Sequence, residues 1–301
     1  MDHPYTSSEV LGTHESESKE QAERGMRLAC SLQASWSPWL DLATQGARAV
    51  DDLKLLRGKP ARLYLLDFGM FRVHSGPRDI GICGFLIITD LGEHILIDSG
   101  FPAKYATNAT RATAEDGLGD FGQVLSLSHD NLPEAQLAKA GVQPNQIDLF
   151  ILTHTHIDHL GGIFDFLQAP MFVSERERAL PKPLYWSGGQ PWEWPDRDYI
   201  TVPNDTRIGP GFEVLQAPGH APGQIAMVIE LPNTGCLMLT SDAISRRSEI
   251  DERFDTASDP ETALENAHRL MQLAEERNAF VIFGHEPEQW PKLRKSPEFY
   301  D

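Results

Sequence analysis

The run His154-Thr155-His156-Ile157-Asp158-His159 constrains this chain more than any other feature. It places three imidazoles and a carboxylate side by side, after the apolar stretch Ile147 to Leu152 and before Gly161-Gly162. The pattern predicts a buried strand ending in a turn that opens into a helix. Alternate side chains at such a turn can point into one cavity. Neutral imidazole nitrogen and carboxylate oxygen are donors that zinc prefers. The segment therefore reads as a metal cradle at a strand end, a pattern far more specific than a lone histidine pair.

A metal needs further donors, and the second half of the chain offers three. His220 lies in Ala217-Pro218-Gly219-His220-Ala221-Pro222-Gly223, a tight loop after the strand-like Phe212 to Gln216. Asp242 follows the apolar run from Cys236 to Thr240, and His285 follows Phe280 to Gly284. Each candidate sits at the end of an expected core strand, where a ligand is held more rigidly than on a long loop.

These residues resemble the metallo-β-lactamase superfamily over roughly Leu63 to Tyr300. The resemblance implies an α/β (α+β) fold, an αββα sandwich, around a two-metal site. It implies that His154, His156 and His220 hold one metal, that Asp158, His159 and His285 hold the other, and that Asp242 bridges them. Asp98, in Leu96-Ile97-Asp98-Ser99-Gly100, matches the family's early Asp, which supports a ligand from outside. The spacing of His159, His220, Asp242 and His285 is similar to that of the N-acyl homoserine lactonases. So are the stretch from Asp259 to Gln289 and the hairpin carrying Gly69-Met70. Class B β-lactamases usually carry Cys at the Asp242 position and lack a ligand at that of His159. One departure stands out: Ser245 occupies the place where the lactonases put a Tyr that helps stabilise the substrate carbonyl.

The implied cofactor is a pair of divalent metal ions, zinc by ligand type, with iron, manganese and cobalt as alternatives. The implied reaction is opening of a lactone by a hydroxide bridging the metals, with Asp158 and Asp242 as the catalytic carboxylates. No G-x-S-x-G nucleophile elbow is present. The alternative is hydrolysis of another activated ester, thioester or phosphotriester on the same metals. A non-catalytic metal-binding protein is a third reading, disfavoured because all seven donors are present.

The segment Tyr185-Trp186 to Trp192-Glu193-Trp194 is Gly/Pro-rich and concentrates tryptophan. It reads either as an apolar wall for an acyl chain or ring, or as a loop anchored by its own aromatics. Tyr185, Trp186, Trp192, Trp194, Ser245 and Met70 are the candidate substrate contacts. Tyr185 is also a candidate substitute for the missing carbonyl-stabilising Tyr.

A formal charge of −18 argues against nucleic acid as a partner. No apolar run is long enough to span a bilayer, so no membrane association is expected. Three cysteines, Cys30, Cys83 and Cys236, form no paired framework, and no cationic, apolar leader follows Met1. These point to a reduced, cytoplasmic setting and a small-molecule lactone or ester substrate.

The expected domains are residues 1–58, a polar tail with a helical extension, and residues 59–301, the hydrolase. Residues 1–18 read as mobile, and Glu20 to about Leu56 as helical with a break at Ser37-Pro38. The extension reads most simply as a packing helix. A homodimer contact or a roof over the site entrance are its other roles. Strands are expected at Arg62–Asp67, Cys83–Thr89, His94–Asp98, Met171–Val173, Tyr199–Val202, Phe212–Gln216, Ala226–Leu231, Cys236–Thr240 and Phe280–Phe283. Helices are expected from Asn131, with a capping pattern, to Gly141, and from Pro260 to Arg277. Residues 102–130 carry no assignment.

Overall fold

A computed structural model describes residues 50–186 and 189–301. The expectations for residues 1–49 lie outside the described residues. The first part of the chain carries strands β1 (Asp51–Asp52), β2 (Pro60–Val73), β3 (Arg78–Thr89) and β4 (His94–Ile97). Helix α1 (Lys104–Asp116), β5 (Gly122–Ser126), helix α2 (Pro133–Lys139) and β6 (Leu149–Ile151) follow. Next come β7 (Met171–Ser174), the one-turn helix α3 (Glu175–Arg178), β8 (Tyr199–Val202), β9 (Thr206–Gly209) and β10 (Phe212–Gln216). The chain closes with β11 (Ile225–Leu231), β12 (Gly235–Ser241), α4 (Glu249–Glu252), α5 (Pro260–Glu276) and β13 (Phe280–Phe283).

The strands form two mixed sheets, ordered β5-β2-β3-β4-β6-β7-β8 and β1-β9-β10-β11-β12-β13. Both faces of each sheet are covered, and the alternation of strand side chains explains how. On β2, Leu63 and Leu65 point between the sheets, where they meet Val214, Met227 and Leu239. The intervening Tyr64 and Leu66 point outward to a second cluster with Leu137 and Tyr105 of the helices. On the other sheet, Leu215, Ala226 and Met238 face outward against Ala263, Ala267 and Leu270 of α5. Small residues on α5 let the helix lie close to the sheet. The result is the αββα sandwich that the sequence predicts.

Helix α5 begins where the sequence places it. Asp259 caps it by accepting from Thr262 N, and Pro260 occupies the first turn, where its missing N–H costs nothing.

Three expectations need correction, and one unassigned stretch gains its elements. Residues 50–56 are not helical: Asp51 and Asp52 pair in parallel with Thr206 and Arg207 of β9, and Leu56 is buried between the sheets. Their spacing of apolar residues suits a helix, but an open sheet edge takes them instead. The capping pattern at Asn131 belongs to the preceding turn, where Ser128 and Asn131 cap each other, while α2 starts at Pro133 without a side-chain cap. Residues 102–130 contain α1 and β5. The histidine turn does not open into a helix: residues 154–168 run through successive turns.

Candidate metal centre

All four donor segments leave their strands on one edge of the sandwich. His154, His156, Asp158 and His159 follow β6, His220 follows β10, Asp242 follows β12 and His285 follows β13. The backbone is distorted at the ends of β12 and of the neighbouring strand β4. Ser241 and Asp98 adopt positive φ values of 46° and 57°, costly for non-glycine residues and tolerated where surrounding contacts fix them. Gly284 is required by closeness: a Cβ there would lie 2.6 Å from Ser241 O and 2.8 Å from Asp242 Oδ1.

The donors form two trios, linked by a third grouping of His154, His159 and Asp242. In the first, His154 Nε2 lies 3.1 Å from His156 Nδ1, which lies 2.9 Å from His220 Nε2. The second contains Asp158, His159 and His285, with His285 Nε2 at 3.4 Å and His159 Nε2 at 3.8 Å from Asp158 Oδ2. Asp242 lies between them. Its Oδ1 is 3.4 Å from His159 Nε2 and 3.2 Å from His285 Nε2, and its Oδ2 is 3.4 Å from His220 Nε2.

Neighbouring groups fix which ring nitrogens face inward. The Thr153 hydroxyl donates to Asp98 Oδ2 at 2.7 Å, so it can only accept from His154 Nδ1 at 3.2 Å. Asp98 Oδ2 accepts from His159 Nδ1 at 2.8 Å, and Gly81 O accepts from His285 Nδ1 at 3.0 Å. All three rings therefore turn Nε2 toward the centre. Ser241 Oγ donates to Thr153 Oγ1 at 2.9 Å and closes this network.

The electrostatics of the two trios differ. Burial is the largest influence on the first, where no donor is a carboxylate. It lowers the pKa of His154 well below the ordinary value, of His156 to about 3, and of His220 as well, with neighbouring imidazoles adding to it for His154 and His156. Burial opposes the charge of His159 and His285 too, but carboxylates outweigh it. Asp158, Asp242 and Asp98 raise His159 well above its usual value, and Asp242 and Asp158 raise His285 to about 9. Burial would raise the Asp242 pKa, yet His285 and His159 hold it well below the carboxylate range.

This donor set fits metal ions. His159 Nε2, His285 Nε2 and Asp242 Oδ1 are buried and lack a hydrogen-bond partner, although they lie within ion-pair distance of one another. Orphaned buried polar atoms are costly, and a cation among them removes the cost. It would also take over the balancing role of the protons on His159 and His285.

The other predicted residues fall around this centre. Asp98 does hold a candidate ligand from behind, as its hydrogen bond to His159 shows. Met70 pairs in register with Gly81, whose carbonyl holds His285. Ser245 donates its N–H to Glu249 Oε2 at 2.8 Å, and its carbonyl accepts from His285 N at 2.8 Å. Tyr185 pairs by its backbone with Thr155 and Ile157, but its buried hydroxyl is bonded to Asp116 at 3.1 Å. That hydroxyl is not turned to a substrate carbonyl.

Trp192 packs on Tyr185 and Phe164, and Trp194 donates to Leu180 O at 2.9 Å beneath the Arg178 guanidinium. These two anchor the insert. Trp186 instead meets Phe121, itself 40% exposed, with ring centroids 4.6 Å apart. Sequence reading missed Thr153, Ser241 and Glu177. Thr153 could have been found, since it directly precedes the histidine run. Glu177 could not, since it sits in a charge-rich stretch that reads as solvated surface.

The chain belongs to the metallo-β-lactamase superfamily, whose family model matches residues 83–285. Within it, the chain belongs to the N-acyl homoserine lactonase family and is a metal-dependent lactonase, a hydrolase of ester bonds. It is 30% identical over 223 residues to the N-acyl homoserine lactonase of Bacillus thuringiensis, covering 71% of this chain and 85% of that protein. It is 29% identical over 272 residues to the N-acyl homoserine lactonase AttM of Azorhizobium caulinodans, covering 80% and 98%. Among solved structures, a B. thuringiensis AiiA mutant with N-decanoyl-L-homoserine at its active site matches with TM-score 0.71 and 26% identity, covering 80% of this chain and 100% of that one. An N-acyl homoserine lactone hydrolase with N-hexanoyl-L-homoserine at its catalytic metal centre matches with TM-score 0.71 and 25% identity, covering the same shares.

Proposed function

We propose that this protein opens the ring of N-acyl homoserine lactones on a pair of zinc ions. His154, His156 and His220 hold one ion, Asp158, His159 and His285 the other, and Asp242 both. The observation that carries this reading is the pair of donor trios meeting at Asp242, with three of its buried donor atoms left without hydrogen bonds. When bound, the ions supply Lewis acidity, bringing the pKa of the attacking water toward about 7 and drawing charge from the carbonyl oxygen.

The chain's own groups do the rest. Thr153, Asp98 and Gly81 O keep three ring nitrogens aimed inward, so little reorganisation accompanies turnover. Asp158 is the most exposed carboxylate of the centre, at 19%, and would take the proton that the attacking water loses and pass it to the departing ring oxygen. Because that oxygen stays tethered in a lactone, the product is a single hydroxy acid. Trp186 and Phe121 form the half-exposed aromatic pair against which an acyl chain packs. We place the start of the hydrolase domain near Asp51, since β1 already belongs to its second sheet.

One observation favours a second reading. Ser245 cannot supply the phenol that the lactonases use, and its backbone is committed to Glu249 and His285. A site without that phenol would be less tuned to the homoserine lactone carbonyl, which suits other activated esters, thioesters or phosphotriesters. Comparing kcat/KM across acyl homoserine lactones, simple lactones, thioesters and phosphotriesters separates the two. Acyl homoserine lactones should lead by at least about 10-fold, the scale of one lost contact. A panel led by a phosphotriester or thioester would reverse the assignment.

Among the described residues, no helix is long and apolar enough to cross a membrane.

A further inference from the structure

The first trio joins loops from opposite sheets, so something must fix their separation. Glu177 on α3 is fully buried and reaches both. Its Oε1 accepts from Thr155 N at 2.8 Å and from Thr155 Oγ1 at 2.6 Å, between His154 and His156. Its Oε2 accepts from Gly223 N at 2.9 Å, at the end of the His220 loop. Ser174 completes the grip: its Oγ donates to Gly223 O at 2.7 Å and accepts from Glu177 N at 3.1 Å. Gly223 is thus held by both its N–H and its carbonyl. A Cβ there would come within 2.2 Å of Ser174 Oγ and 2.3 Å of Glu177 N, so only glycine allows the approach.

We propose that Glu177, with Ser174, is a positioning residue that sets the distance between the His154–His156 turn and the His220 loop, and so governs retention of the ion held by the first trio. The inference rests on the two-ion reading above.

Local helix stability does not explain Glu177. Ser174-Glu-Arg-Glu177 has the Ser-x-x-Glu pattern of a capping box, in which the Glu side chain returns to the N–H of the Ser. Here it turns away from α3, which has only four residues to stabilise. Burial pushes the Glu177 carboxyl pKa up, and the donors from Thr155 and Gly223 pull it back. A buried carboxylate with every donor drawn from two other loops is a strut between them. Among the described residues, the hydrogen bonds of this strut reach Thr155 and Gly223, while the outer partners of His159 and His285 are Asp98 and Gly81 O.

The substitution Glu177→Gln tests this with little change of shape. Thr155 presents two donors to Oε1, so the amide oxygen stays there and the amide NH2 faces Gly223 N–H, donor against donor. The strut breaks on the His220 side. Full-length protein is loaded with Zn2+, freed of excess, and titrated with a chromophoric chelator while melting and circular dichroism report folding. Wild type should hold two ions. E177Q should hold one as tightly as wild type and the other roughly 10–100-fold more weakly, the usual effect of losing a ligand's outer partner. S174A should shift the same ion by a smaller factor.

Adding His220→Ala to E177Q should cost no further ion, whereas adding His285→Ala should cost both. Folded E177Q that keeps both ions at wild-type affinity, or loses both equally, overturns the inference. If E177Q does not fold, unchanged retention in S174A overturns it. A wild-type chain holding fewer than two ions would sink the two-ion reading itself and this inference with it.

Discussion

The histidine turn at 152–162 and the aromatic insert, described at 184–186 and 189–194, are neighbours that are held in different proportions by polar bonds and by ring packing. The turn is pinned by buried polar bonds from Thr153, Asp98 and Glu177. The insert is tied at Tyr185 by backbone bonds to Thr155 and Ile157 and by its hydroxyl on Asp116, and beyond Tyr185 it is held by ring packing, of Trp192 on Tyr185 and of Trp194 under Arg178, with one bond from Trp194 to Leu180 O. Polar bonds fix atoms to within tenths of an ångström and directions to within tens of degrees. Ring packing fixes a surface but tolerates sliding. On the proposed assignment, the part that holds the metals is fixed by direction, and the part offered as the acyl wall is fixed to a larger degree by contact area.

The largest effects should come from the pinned centre. Asp242→Ala removes the carboxylate that lies between both trios, and kcat should fall by at least about 10²–10³-fold. Metal analysis should show a matching loss, and melting should show a folded protein. An active Asp242→Ala enzyme with two ions would break the comparison at its root.

Asp98→Asn comes next. Asp98 accepts from Thr153 N, Thr153 Oγ1 and His159 Nδ1, and an amide can satisfy only part of that set. Metal affinity or kcat should drop roughly 10–100-fold. A change confined to KM would show that Asp98 shapes the pocket and does not hold a ligand.

The legibility of the molecule follows the same division. The seven candidate donors were readable as a group because each follows an apolar strand and carries an imidazole or carboxylate, groups that zinc prefers, and the structure brings them together. The core strands were readable from apolar runs such as Phe212–Gln216, which matches β10 residue for residue. β1 was not, because its two exposed aspartates carry no strand signal. They are strand only because β9 offers them an edge. Helix α1 was hidden by its three threonines and by the non-helical Asn108 within it. Glu177 was hidden by a pattern that local propensity explains equally well.

The insert should answer differently to mutation. Trp192→Ala should destabilise by roughly 2–3 kcal/mol, less than a fully buried aromatic, while the metal content stays intact. Phe121→Ala should cost under about 1 kcal/mol, since the ring is half exposed. It should instead raise KM for long-chain substrates more than for short ones. Equal effects on both chain lengths would remove Phe121 from the acyl wall.

The smallest effect lies outside both regions. Arg246 hydrogen-bonds Glu252 and lowers its pKa from 4.5 to about 2. A depressed carboxylate pKa adds stability above the unfolded value that is lost as pH falls through the folded one. The window is therefore about pH 4.5 to 2. Because Glu252 is 44% exposed, solvent screening should keep the term under about 1 kcal/mol. Acid titration of wild type against Glu252→Gln measures it.

The most direct test of the central claim joins metal content to turnover in one sample. Protein purified without added metal is assayed for lactone opening and analysed for elements, then stripped by chelator and reconstituted stepwise. The account predicts two divalent ions per chain, loss of turnover on stripping, and recovery as the second ion returns. Undiminished turnover in verified metal-free protein would contradict it.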